Sequence, residues 1–192
     1  MAKLVAFESV TLDGVMQAPG RPDEDVRGGF EHGGWAVPYA DEVVMGLAGE
    51  GAGTTSAMLF GRRTYEDFAG FWPHQQDNPF TELLNATPKY VASTTLQEPL
   101  PWVNSTLLQG DVYDAVNDLK DELDGDLLAL GSGELLRGLL AYELVDTMIL
   151  LIHPLVLGTG QRLLDAGLPK AALTLVESKA STTGVVIATY AR

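Results

Sequence analysis

The sequence predicts an α/β protein with a mixed, mostly parallel central sheet and helices on both faces, and three observations carry that prediction. Short apolar runs such as Ala57–Phe60 and Asp126–Leu130 alternate with segments of helical periodicity, the order that βαβ crossovers impose. Some of these runs are apolar at consecutive positions, as strands buried on both faces require. The last two strand-like segments, Ala172–Ser178 and Gly184–Tyr190, lie close together and read as a closing antiparallel pair. A chain of 192 residues exceeds the commonest domain size but is too short for two ordinary domains, so residues 1–192 are expected to form one. A hydrophobic share of 46% suffices for one substantial core.

The elements follow in order. The first strand is expected at Lys3–Val10, rich in Val, Phe and Ala and ended by the turn former Asp13-Gly14. Ala18–Pro38 is dense in glycine, proline and alternating charge, a long irregular stretch of the kind that serves as a lid or binding loop. A helix over Tyr39–Glu50 places Val43, Val44 and Leu47 on one face. The buried strand Ala57–Phe60 ends in Gly61, and Arg62–Phe71 reads as helix. Asn78-Pro79 supplies an N-cap and a proline at the first helical position of a short helix to Asn85. Tyr90–Ala92 is a strand followed at once by Ser93-Thr94-Thr95. Asp111 caps a helix carrying Val112, Val116, Leu119 and Leu123 at helical spacing. The strand Asp126–Leu130 leads through Gly131-Ser132-Gly133 into a helix with Leu135, Leu136, Leu139 and Leu140. Val145–Ile152 is then the expected long central strand.

Composition excludes several functions. There is no cysteine, hence no disulfide, zinc–thiolate site, iron–sulfur cluster or cysteine nucleophile. Twelve Lys and Arg stand against twenty-six acids, a formal charge of −14, and the basic residues are singletons apart from Arg62-Arg63. Such a chain repels polyanions, so neither nucleic acid nor an anionic membrane is an expected partner. The opening apolar run is too short for a signal peptide, and Leu144–Leu157 is broken by Asp146, His153 and Pro154. A cytoplasmic location is expected.

Ligands of open α/β sheets bind outside the carboxyl ends of the parallel strands. Three strands here end in glycine or hydroxyl residues just before a helix or turn: Gly61-Arg62-Arg63-Thr64, Ser93-Thr94-Thr95 and Gly131-Ser132-Gly133-Glu134. Glycine admits close backbone approach, free amides and hydroxyls donate, and a helix N-terminus favours an anion. A guanidinium grips a phosphate monoester in bidentate fashion. Together these features suit a ligand with several phosphates, such as NADPH. Each has a plainer alternative: Arg62 and Arg63 as surface partners of Glu66 and Asp67, Ser93-Thr94-Thr95 as a turn, and Gly131-Ser132-Gly133 as a helix start. The G-x-G-x-x-G fingerprint is incomplete, and no Walker A motif is present.

The remaining inventory is sparse. His32, His74 and His153 lack metal-type spacing, so no metal site is expected. His153, in an apolar strand, reads as a core histidine. Asp41 is either a surface acid at a helix start or a carboxylate facing substrate. Trp35 and Trp72 flank loops and either close the core or cover a planar ligand.

Several segments, in order and spacing, resemble a known family: Ser9-Val-Thr-Leu-Asp-Gly-Val-Met16, Leu59-Phe-Gly-Arg-Arg-Thr-Tyr-Glu66, Lys89-Tyr-Val-Ala-Ser-Thr-Thr-Leu96, Leu130-Gly-Ser-Gly-Glu-Leu135, Leu144-Val-Asp146 and His153-Pro-Leu-Val-Leu-Gly-Thr-Gly-Gln-Arg-Leu163. The chain is similar to bacterial reductases related to dihydrofolate reductase, above all to the C-terminal reductase domain of bifunctional riboflavin-biosynthesis proteins and its stand-alone relatives. The resemblance implies a dihydrofolate-reductase-like three-layer sandwich, NADPH binding and a homodimer. By that likeness Arg62 contacts the 2′-phosphate, with Arg63 beside it, and Thr64 caps the next helix near the pyrophosphate. Ser93, Thr94 and Thr95 lie along the adenosine side, and Gly131, Ser132, Gly133, Glu134 and Leu135 cradle the pyrophosphate. The Leu12–Met16 loop lies beside the nicotinamide. Substrate-facing candidates are Asp13, Gly14, Met16, Trp35, Asp41 and Trp72, and no catalytic side chain is singled out. The implied reaction is hydride transfer from NADPH to a C=N or C=O bond of a small heterocycle, in the manner of a 5-amino-6-(5-phosphoribosylamino)uracil reductase. Alternatives are a dihydrofolate or pterin reductase, or a non-catalytic NADPH-binding dimer of the same fold.

Overall fold

The structure is a computed structural model and describes residues 1–164 and 167–192. Among these residues eight strands form one sheet: β1 (Leu4–Thr11), β2 (Thr55–Gly61), β3 (Lys89–Ala92), β4 (Ser105–Leu107), β5 (Asp126–Leu130), β6 (Thr147–His153), β7 (Thr174–Ala180) and β8 (Val186–Ala191). Their spatial order is β4-β3-β2-β5-β1-β6-β8-β7. The first six are mutually parallel, while β8 runs antiparallel to both β6 and β7. Among the described residues five α-helices connect them: α1 (Glu42–Ala52), α2 (Arg62–Phe71), α3 (Pro79–Ala86), α4 (Val112–Glu122) and α5 (Gly133–Ala141).

Alternation along the strands divides the core between two faces. Leu4, Ala6 and Val10 of β1 pack with Ala57, Leu59, Leu127 and Ala129 against Val116 and Leu119 of α4 and Leu136 and Leu139 of α5. On the other face Met58, Phe60 and Val91 meet Tyr65 of α2, Leu84 of α3 and Trp102. Leu151 and Ile187 meet Val43, Val44 and Leu47 of α1 there. Burying each such side chain contributes about 1.5–3 kcal/mol, so helices on both sides are what these two apolar faces demand.

The caps follow the sequence. Asn78 accepts from the Phe80 amide at 2.9 Å, and Asp111 accepts from the amides of Tyr113 and Asp114. Three features differ from expectation. The helix expected from Tyr39 begins at Glu42, because Asp41 caps it by accepting from the Val44 amide at 2.9 Å, and a separate 3-10 turn covers Val37–Tyr39. The Ala18–Pro38 stretch holds a further 3-10 turn at Arg27–Gly29, and its Ala18, Phe30 and Trp35 form a small apolar cluster with Val15. The strand Ser105–Leu107 was not anticipated; with three residues and a polar first position it gives no apolar run to read.

The parallel strands β3, β2, β5, β1 and β6 end along one edge of the sheet. That edge carries the three turns and the loops after β1 and β6.

Candidate functional site

The turns after β2 and β5 are adjacent because β2 and β5 are neighbours, and they are bonded to each other. The Gly61 amide donates to Ser132 Oγ at 2.9 Å, and the Ser132 amide donates to Thr64 Oγ1 at 3.0 Å. Thr64, the first-turn hydroxyl of α2, thus holds the opening of α5. Gly61 and Ser132 occupy the N-cap positions of α2 and α5, and neither helix has a side-chain cap bond. The first amides of both therefore face the edge without a side-chain cap, and the one acid in either first turn, Glu134 of α5, is turned to Arg63. Two glycines shape this turn. Gly131 has φ +58, a conformation that favours glycine, and lies against Thr64, and a Cβ at Gly133 would fall 2.2 Å from the movable Met16 Sδ. Met16 accordingly lies against the start of α5. Leu135 packs half-buried against the core beside this turn.

The arginines flank the turns. Arg62 pairs with Glu66 at 2.8 Å along α2, and Arg63 reaches across to Glu134 of α5 at 3.0 Å. Both pairs are exposed, the Glu134 side chain being 80% accessible, and such pairs are worth about 0–1 kcal/mol. A phosphate can replace the glutamate partner at little cost. The third turn is next in line, since Gly61 pairs with Ala92. Ser93 Oγ there accepts from the amides of Thr95 and Leu96 at 3.1 and 3.0 Å, closing a hydroxyl turn with Thr94 exposed.

The loop after β1 is built differently. The Asp13 carboxylate accepts from Thr11 Oγ1 at 2.6 Å, Gly158 N at 2.9 Å, Leu157 N at 3.2 Å and Arg162 at 3.4 Å. The Thr11 hydroxyl, with the two loop amides, lowers its pKa to about 2. Arg162 Nε donates to the Asp13 carbonyl at 2.8 Å, and Val15 forms an isolated bridge with Arg162. Arg137 of α5 donates to the Arg162 carbonyl at 3.0 Å. Gln17 Oε1 accepts from Gln161 N, while Nε2 donates to the carbonyls of Asp25 and Arg27. Asp13 thus clamps the loops after β1 and β6 together, and Gly14 makes the turn with φ +80. A cleft of about 440 Å³ lies alongside, with Gln17, Arg27, His32 and Gly160 among its walls.

The other candidates are dispersed. Trp35 is buried, donates from Nε1 to the Gln17 carbonyl at 2.7 Å and meets the His153 ring edge-on at 5.0 Å. His153 Nδ1 lies 3.0 Å from the Leu151 carbonyl, and burial lowers its pKa. Asp41 accepts from Thr182 Oγ1 at 2.6 Å, from Thr182 N at 2.7 Å and from Thr183 N, besides capping α1. These bonds, the Thr182 hydroxyl first, hold its carboxyl well below the usual range. Its oxygens are committed to α1 and the β7–β8 turn. Trp72 packs among Phe68, Phe71 and Phe80, 4.8 Å from the Phe80 ring, where it closes the core beside α2 and α3. Arg21 ties the Ala18–Pro38 stretch to α2 through Asp67 and stacks over Phe71 at 4.2 Å.

Sequence reasoning missed Glu8, Gln17 and Arg137. Gln17 and Arg137 carry no pattern of their own. Glu8 does give a signal, an acid in the same alternation as Leu4, Ala6 and Val10. Among the described residues no group of three His, Cys, Asp or Glu is placed to hold a metal ion, and no helix is long and apolar enough to cross a membrane.

Residues 2–187 match the model of the RibD C-terminal domain family. The chain belongs to the RibD C-terminal domain family. An uncharacterized Bacillus subtilis protein, YyaP, is 29% identical over 138 residues, covering 69% of this chain and 72% of its own length. A putative riboflavin biosynthesis protein from Shewanella sp. PV-4 superposes with a TM-score of 0.70 at 21% identity, over 100% of this chain and 99% of that one. Dihydrofolate reductase from Enterococcus faecalis, solved with NADP(H), superposes with a TM-score of 0.61 at 13% identity, over 99% and 96% of the two chains. This RibD C-terminal family member therefore has the dihydrofolate-reductase-like fold, with its eight strands in one mostly parallel sheet.

Proposed function

We propose that the chain is an NADPH-dependent reductase that adds hydride to a C=N or C=O bond of a small heterocycle, of the pyrimidine-reductase type of riboflavin biosynthesis. The observation that carries this reading is the pair of interlocked turns at Gly61 and Ser132, which leaves two helix N-termini uncapped by side chains beside Arg62 and Arg63. That donor set suits a pyrophosphate with an additional phosphate monoester. Membership of the RibD C-terminal family supports the same reaction class.

In this reading NADPH, when bound, supplies the hydride. The chain supplies position. Arg62 exchanges Glu66 for the 2′-phosphate, Arg63 releases Glu134 toward the pyrophosphate, and the amides at the start of α5 complete the cradle. The clamp at Asp13 keeps the Leu12–Met16 loop seated beside α5, and the Ala18–Pro38 stretch, held to α2 by Arg21, screens the site from water. Asp41 is saturated by α1 and Thr182, which speaks against its serving as a carboxylate facing substrate.

The test is a titration of the full chain with NADPH and NADH followed by tryptophan fluorescence, together with NADPH oxidation across pterins and ribosylaminopyrimidines. Arg62→Ala is expected to weaken NADPH binding about 10–100-fold, the worth of one charge-assisted contact, and to leave NADH binding unchanged. No response at millimolar cofactor overturns the reading. An unaltered preference for NADPH in Arg62→Ala overturns the assignment of that residue.

A further inference from the structure

Glu8 sits inside the sheet with no task assigned to it above. It lies on β1 between β5 and β6, opposite Leu150, and is 3% exposed. Strand alternation places its side chain on the face of Leu4, Ala6 and Val10, which pack with Leu136 and Leu139 of α5. β5 ends with Leu130 opposite Phe7, so Gly131 comes level with Glu8 one strand away, about 5 Å across. The carboxyl therefore lies beside the turn that opens α5, on that helix's side of the sheet. Its Oε1 has no hydrogen-bond partner, a cost that folded proteins seldom carry without a use for it. Burial pushes the carboxyl well above the usual range, because desolvation disfavours its charged form.

A protonated carboxyl sets one O–H donor beside one carbonyl acceptor. A primary carboxamide answers both at once, because its carbonyl and N–H lie side by side in one plane. A ketone in the same place meets only the donor. Met16, packed against the same cluster and lying over Gly133, offers a thioether surface suited to a planar ring. NADPH carries a primary carboxamide on its nicotinamide ring.

We infer that Glu8 binds the nicotinamide carboxamide of a dinucleotide whose phosphates lie at Arg62, Arg63 and the start of α5. The inference rests on the NADPH reading above and adds to it the side chain that would fix the ring.

Equilibrium binding of the full chain, without turnover, tests it with two probes: NADPH and its reduced 3-acetylpyridine analogue, in which a methyl ketone replaces the carboxamide. Wild type is expected to bind NADPH about tenfold tighter than the analogue, the worth of one to two hydrogen bonds. Glu8→Gln, whose amide also donates and accepts, keeps that discrimination to within about threefold. Glu8→Leu loses it and binds both probes alike; it fills the site with an apolar group and is expected to fold, as its circular dichroism would record. A merely structural Glu8 changes the melting temperature and leaves discrimination intact, and that result overturns the inference. If Arg62→Ala weakens NADPH while Glu8→Leu does not, the role of Glu8 fails and the cofactor reading stands. If wild type binds neither probe, both fall together.

Discussion

The turns at Gly61 and Ser132 and the clamp at Asp13 lie next to each other, joined where Met16 meets Gly133, yet they use their polar groups in opposite ways. At the turns, two helices open without side-chain caps and two arginines rest in exposed pairs. At the clamp, Asp13 accepts from four donors, and Gln17 and Arg162 are bonded to backbone or to Asp13. The first region keeps hydrogen-bonding capacity in reserve, and the second has consumed it. A carboxylate or guanidinium at the edge of a sheet is thus no guide to binding until its partners are known. What marks a site is capacity left unspent.

The comparison yields graded expectations. Trp35→Ala, in the saturated region, removes a buried indole and its bond to Gln17; a loss of about 3–5 kcal/mol is expected in chemical denaturation. Arg62→Ala, in the reserve region, should change stability by less than about 0.5 kcal/mol while costing the NADPH affinity described above. If it destabilises the fold as Trp35→Ala does, the contrast between the regions is broken.

Asp13→Asn should cost about 1–2 kcal/mol at neutral pH, since charge-assisted bonds become neutral ones and the side chain is partly solvated. Its acid limb gives the sharper reading. The folded pKa of about 2 lies below the ordinary 3.8, so the unfolded chain binds the extra proton between these values. The contribution of Asp13 is full above about pH 4 and is lost as pH falls through about 2. Asp13→Asn should remove that part of the acid unfolding slope. The smallest effect is expected from Glu134→Gln, which frees Arg63: NADPH should bind up to about threefold tighter, with stability unchanged, because an exposed pair is worth under about 1 kcal/mol. A loss of affinity instead would place Glu134 among the ligands of the cofactor.

Much of the fold was legible along the chain. The helix Arg62–Phe71, the caps at Asn78 and Asp111 and the strand Asp126–Leu130 stand where local chemistry puts them, because a cap or an apolar run acts over a few neighbouring residues. The turns were legible for the same reason, since glycine and hydroxyl residues before a helix are a local signal. Other assignments needed the fold. Trp72 in a loop offered core or ligand equally, and only Phe68, Phe71 and Phe80 around it select the core. Asp41 offered surface or substrate, and Thr182 answers from the far end of the chain.

By itself, then, the sequence determined the α/β element order apart from β4, the positions of the glycine turns and the isolation of Arg62-Arg63 in an acidic chain. The tertiary structure alone decided which polar groups are free. Asp13 is spent on Leu157 and Gly158, Glu8 is left with an unmet oxygen beside Gly131, and Thr64 serves Ser132 rather than its own helix. Each of these partnerships is made, or withheld, by residues far apart in sequence, and hydrogen-bond satisfaction is a property of the neighbours that folding supplies.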